Sequence, residues 1–138
     1  MRDHNHQRPV YLLTVHDALK TDKENKEALR KAQEYLRANN VSSKVLFSAA
    51  GAADHDCEYL VIPEEGVDAV NEIAVEHGQD TVIYLNYIRE AYSRSVPVQP
   101  GVGGWPIGEL KAIAPGAIVA ENERTFTDVN HNTRFRIL

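Results

Sequence analysis

The stretch from Asp56 to Tyr87, DCEYLVIPEEGVDAVNEIAVEHGQDTVIYLNY, constrains the fold most. It reads as strand, helix, strand. Cys57–Ile62 is the first strand and carries Glu58 among apolar neighbours. The helix follows Pro63 and stops at Gly78, a residue suited to the left-handed position after a helix C-terminus. The second strand, Thr81–Tyr87, is almost wholly apolar and aromatic. A sheet covered on one face only alternates apolar and polar residues, and this strand does not. Pro9–Val15 (PVYLLTV) does not alternate either: Tyr11, Leu12, Leu13 and Val15 fill both of its faces. Both strands therefore need cover on both sides.

The remaining elements follow from local signals. Thr21-Asp-Lys-Glu24 is a capping box that opens a helix. Ala28, Leu29, Ala32, Tyr35 and Leu36 give that helix one apolar face, and Asn39-Asn40 ends it. Ser43–Ser48 is a second strand, joined to the third through the small-residue loop Ala49–His55. The order β-α-β-β-α-β predicts an α+β, ferredoxin-like (GlnB-like) sandwich: a four-stranded antiparallel sheet with both helices on one face. The other face of such a sheet would then meet another subunit. Beyond Tyr87, Glu90–Ser95 is polar and Val96–Ile107 is irregular, with three prolines and three glycines. Glu109–Ile113 reads as a short strand or turn, and Ala117–Glu121 and Arg134–Leu138 as additional C-terminal strands. Residues 1–8 form a tail and 9–138 a single domain.

Charge and composition narrow the function classes. The net charge of −5 is spread along the chain, whereas a nucleic-acid groove needs clustered Lys and Arg. No apolar run approaches a membrane span, and MRDHNHQRP lacks the apolar core of a signal peptide. The single cysteine, Cys57, permits no intrachain disulfide and suits a reducing cytoplasm. In mid-strand among apolar residues it reads as a buried, inert thiol. His4 and His6 lack a third ligand, so no metal site is expected. His77 reads as a cation at the C-terminal end of its helix dipole, and Trp105, the sole tryptophan, as a lid on the core's edge.

None of the phosphate-binding, nucleophile-elbow or zinc motifs is present, so any catalysis falls to carboxylates, tyrosines, histidines and backbone groups. Glu58 is the carboxylate that stands out, because a charge inside an apolar strand is costly unless paired or used. Tyr59, Tyr84 and Tyr87 offer π-faces to a cation, and Glu90 follows the fourth strand, where chain ends often build sites.

The chain resembles the small phage enzymes that degrade S-adenosylmethionine (SAM), formerly called SAM hydrolases and now SAM lyases. The likeness runs from about Pro9 to the end. It is carried by PVYLLTV, by Ala69–Tyr84 (AVNEIAVEHGQDTVIY) with Gln79-Asp80 before an apolar strand, and by the tail GELKAIAPGA…FTDVNHNTRFRI. The resemblance implies cleavage of SAM to 5′-methylthioadenosine and homoserine lactone in the host cytoplasm, which would deprive restriction systems of SAM. It implies no cofactor, since SAM is the substrate. It also implies a homotrimer of GlnB-like subunits with active sites between them. Glu58 matches the family's functional carboxylate, with Asp56 as the rival register; Asp56, Tyr59, Tyr84, Tyr87 and Glu90 are the substrate-binding candidates. Two other readings stay open: a GlnB-like nucleotide sensor without chemistry, and a direct protein inhibitor of a host enzyme.

Overall fold

The structure, a computed structural model, describes residues 8–50, 57–99, 104–114, 116–119, 124–128 and 133–138. Its strands are β1 (Val10–Leu13), β2 (Lys44–Ala50), β3 (Cys57–Pro63), β4 (Thr81–Leu85), β5 (Glu90–Ser95), β6 (Trp105–Ala112), β7 (Arg124–Asp128) and β8 (Thr133–Ile137). Two helices, α1 (Asp22–Ala38) and α2 (Val67–Glu76), lie between them, with a single 3-10 turn at Glu64–Gly66 before α2.

Both helices begin and end as their sequences dictate. Thr21 caps α1: its hydroxyl accepts from the Glu24 N–H at 3.1 Å, and the Glu24 carboxylate accepts from the Thr21 N–H at 3.0 Å. Ala28, Ala32 and Leu36 form the buried stripe of α1. The end of α2 closes with Gly78 at φ 67, as Gln79 N–H donates to the Ala74 carbonyl at 2.8 Å. His77 departs from expectation. Burial pushes its pKa down, so its surroundings disfavour the helix-end cation read from the sequence.

The fold class is not the expected ferredoxin-like, GlnB-like sandwich. The strands form a closed eight-stranded antiparallel barrel in the order β1-β3-β2-β7-β8-β6-β5-β4, with β4 returning to β1. The four strands of the expected sheet are neighbours, β2-β3-β1-β4, and β2 and β3 pair as the expected hairpin. Their edges are not free, however. β7 pairs with β2 and β5 with β4, and β8 and β6 complete the circuit. Closure satisfies the backbone donors and acceptors that an open sheet leaves at its edges.

Closure also answers why β1 is apolar on both faces. Tyr11 and Leu13 pack outward with Leu60, Ile62, Tyr84 and the buried stripes of α1 and α2. Val10 and Leu12 point inward with Leu46, Val61, Leu85 and Phe126. The second apolar face is thus the lumen of the barrel, covered by the chain itself. It supplies no argument for a neighbouring subunit.

The C-terminal half departs furthest from the sequence reading. Glu90–Ser95, read only as polar texture, is β5, a full member of the barrel. β6 begins at Trp105, within the stretch read as irregular. Residues 117–119 of the expected strand Ala117–Glu121 are irregular, and Ala120 and Glu121 lie outside the described residues. Trp105 is 79% exposed, so it is not a lid on the core. Of the loop Ala49–His55, the first two residues belong to β2 and the rest lie outside the described residues.

Phe126 is the test of closure. It is fully buried in the lumen on β7 and meets Tyr59 of β3 edge-on, with ring centroids 5.4 Å apart. Phe126→Ala should cost about 3–5 kcal/mol in urea denaturation, as for other large buried aromatics. Trp105→Ala on the exposed wall should cost no more than about 0.5 kcal/mol. Equal, small effects for both would contradict a packed, closed lumen.

Candidate functional site

Side-chain direction alternates along a strand, so register decides what Glu58 can meet. On β3, Cys57, Tyr59 and Val61 share the lumen side, while Leu60 and Ile62 face the helices. Glu58 therefore points outward, half-buried, at the end of β3 away from Pro63. Its cross-strand partner on β2 is Phe47, which is 38% exposed. Phe47 in turn pairs with Thr127 of β7, and Thr127 with Arg134 of β8. Directly opposed residues share a face. Carboxylate, phenyl ring, hydroxyl and guanidinium thus form one row across the outer wall, about 14 Å long at the usual strand spacing. Among the described residues, no hydrogen bond or ion pair engages the Glu58 carboxylate; only its backbone carbonyl is used, accepting from the Thr14 hydroxyl at 3.0 Å.

Such a row has definite chemical capacities. An unengaged carboxylate attracts an ammonium or sulfonium group, and an exposed ring offers a stacking surface to a heterocycle or cation. The wall of a barrel is convex, so the row alone does not exclude water.

The other residues predicted from sequence do not gather around Glu58. Tyr59 points into the lumen against Phe126, and burial pushes its hydroxyl pKa up. Tyr84 faces the helices, not Glu58. Its hydroxyl donates to the Glu64 carboxylate at 2.6 Å, and the Arg94 guanidinium lies 3.9 Å over its ring. Tyr11 stands beside it with ring centroids 5.2 Å apart; the Tyr11 hydroxyl lies against Arg94 without a well-formed hydrogen bond. Tyr87 and Glu90 flank the β4–β5 turn at the opposite end of the barrel, roughly 20 Å along the strands from Glu58. Glu90 serves that turn: its carboxylate accepts from the Asn86 side-chain amide at 2.8 Å, and its N–H donates to the Asn86 side-chain oxygen at 2.9 Å. Asp56 lies outside the described residues.

Sequence reasoning missed Phe47, Thr127 and Arg134. Val45, Leu46 and Phe47 are consecutive apolar residues, so nothing in β2 marks Phe47 as outward. Only the β2–β7–β8 register brings the row together. Behind it, the lumen is polar at this end: Arg124 donates to the buried Ser48 hydroxyl at 3.0 Å, and the Thr14 hydroxyl contacts the Cys57 sulfur at 3.8 Å. Cys57 is buried, and desolvation raises its thiol pKa, in keeping with an inert thiol. Among the described residues, no group of three or more His, Cys, Asp or Glu is placed to hold a metal ion. No helix among them is long and apolar enough to cross a membrane.

Comparison of the chain with models of known protein families and with curated proteins finds no match.

The Tyr84 cluster makes a pH prediction. Burial first, and donation to Glu64 second, push the Tyr84 hydroxyl up to about 12. For an acid whose folded pKa is raised, the neutral form carries the stabilisation. The contribution is full below the ordinary tyrosine value of 10 and is lost as pH climbs towards about 12. Ultraviolet titration should reveal a late-ionising tyrosine that disappears in Tyr84→Phe. The variant should also lose less stability than the parent across that alkaline window. An unchanged titration curve in Tyr84→Phe would contradict this assignment.

Proposed function

We propose that the chain is a phage-type SAM lyase whose reaction takes place on the outer wall at Glu58 and Phe47. The observation that carries the reading is the cross-strand pair itself: a half-buried carboxylate with no hydrogen bond or ion pair among the described residues, beside an exposed ring. It falls on the residue that matches the functional acid in the sequence resemblance. The other described carboxylate predicted from sequence, Glu90, holds a turn.

The chemistry needs little from the protein. The substrate's own carboxylate attacks its γ-carbon; the new C–O bond forms as the C–S bond breaks, and the pair in that bond leaves on the sulfur. The products are homoserine lactone and neutral 5′-methylthioadenosine, and no water is consumed. Sulfonium and carboxylate charges cancel on the way to the transition state, so a dry site that curls the methionine arm favours it. A carboxylate set against the sulfonium would stabilise the ground state more than the transition state. Glu58 therefore binds the α-ammonium or the ribose hydroxyls, and Phe47 stacks on the adenine.

A convex wall needs a cover to become dry. A second copy of the chain laid over the row would provide one, which is the sense of the homotrimer with intersubunit sites. The same activity in an infected host's cytoplasm would lower SAM and relieve SAM-dependent restriction. The nucleotide-sensor reading drew on a GlnB-like fold, which the barrel replaces.

Incubation of purified protein with SAM should yield methylthioadenosine and homoserine lactone. In ¹⁸O-water the first-formed lactone should carry no label. Homoserine labelled on its side-chain hydroxyl would indicate hydrolysis and recast Glu58 as a general base. Glu58→Gln should lower turnover by about a hundredfold to a thousandfold, the usual cost of one preorganised polar contact, while light scattering still reports a trimer. Absence of turnover in the parent protein would refute the proposal.

A further inference from the structure

The two mouths of the barrel differ in chemistry, and the one away from Glu58 is a funnel. Its volume is about 310 Å³, and it is lined by Leu12, Leu46, Val61, Leu85, Leu110 and Phe135. Exposure falls along its depth. Ala112 at the lip is exposed, Leu110 and Phe135 are half-buried, and Leu12 and Leu85 on the floor are 1% and 2% exposed. Protein cores are normally filled to crystal density, so an apolar recess of this size inside a barrel stands out. Eight strands enclose just enough space for side chains or for one small ligand. Here the small residues on that part of the inner wall, such as Ala91 and Ala112, leave the space open.

Two cations stand at the lip. Lys44 reaches the buried Asp128 carboxylate at 3.0 Å and keeps over half of its side chain exposed. Arg89 is fixed more firmly. Its backbone lies in the left-handed region at φ 65, which is uncommon for a residue other than glycine. The turn holds it there: Asn86 accepts through its side-chain oxygen from the Ile88 and Glu90 N–H groups, and through its carbonyl from the Arg89 N–H at 3.0 Å. The Arg89 guanidinium donates to the Arg8 carbonyl at 2.8 Å and lines the recess. Local strain retained by a dedicated turn is a mark of a functional position. A planar guanidinium beside an apolar recess matches a carboxylate headgroup above an aliphatic chain.

We propose that this funnel is a second binding site, separate from the Glu58 wall, that takes a small amphipathic anion of the medium-chain aliphatic carboxylate class. The chain enters the recess towards Leu12 and Leu85, and the headgroup stays at the lip with Arg89 and Lys44. The site does not depend on the SAM-lyase reading, because its lining faces inward and Glu58 and Phe47 face outward.

Octanoate is the probe, with octanol as its uncharged counterpart, titrated into the full chain by calorimetry. Octanoate should bind more tightly than octanol. In a methyl-resolved NMR spectrum it should shift Leu12, Leu46, Leu85 and Leu110, but not Leu29 or Leu36 in and around the helix layer. Ala112→Trp, which plugs the lip, should abolish binding. Arg89→Gln should weaken octanoate by about tenfold or more, the scale of one lost charge-assisted contact, and leave octanol unchanged. The methyl shifts need no variant, so they decide the matter even where a substitution fails to fold. Absence of octanoate binding, shifts confined to methyls outside the recess, or equal affinity for octanol and octanoate would overturn the proposal.

Discussion

Everything in this molecule depends on burying both faces of β1. Tyr11 and Leu13 are held on one side by α1 and α2, and Val10 and Leu12 on the other by β2, β7 and the far strands of the barrel. A strand with that composition has no stable place on a sheet covered on one face only. The chain resolves the problem internally: it wraps its own C-terminal strands round to form a lumen. The two apolar clusters then sit back to back across a single layer of backbone.

This arrangement assigns distinct environments to the polar groups. Residues on the helix-covered face, such as Tyr84 with Glu64 and Arg94, form a part-buried polar cluster that ties the 3-10 turn before α2 to the sheet. Residues facing the lumen, such as Tyr59 and Cys57, are desolvated, and their acid forms are retained to higher pH. Where β3 and β2 run beyond the cover of the helices, outward residues remain accessible. Glu58 and Phe47 occupy that place. The candidate site is thus a consequence of where the helix layer stops, not of a pocket formed by several loops.

Much of the first half was legible in the sequence. The strand at Val10–Leu13, the capping box at Thr21–Glu24, the Gly78 stop and the β2–β3 hairpin all rest on local patterns of side chain and backbone preference. The same patterns fail at β5. Its inward residue Ala91 is small and its outward Arg94 is long and polar, so the strand reads as polar loop. Closure itself is invisible locally, because β7 is distant in sequence from β2 and only the tertiary pairing joins them. Glu58 was legible as a carboxylate in an apolar strand. Its neighbours Phe47, Thr127 and Arg134 were not, because each lies on a different strand. The two-faced strands were correctly read as needing double cover, but the cover comes from the lumen rather than from another subunit.

On the proposed reading, substrate chemistry takes place on the outer wall and not in the lumen. This placement is tested most directly by adding the product, 5′-methylthioadenosine, to isotopically labelled protein and following aromatic and methyl NMR signals together. Shifts are expected in the Phe47 ring and none in the Leu12 and Leu85 methyls. Shifts in the lumen methyls with an undisturbed Phe47 ring would contradict it.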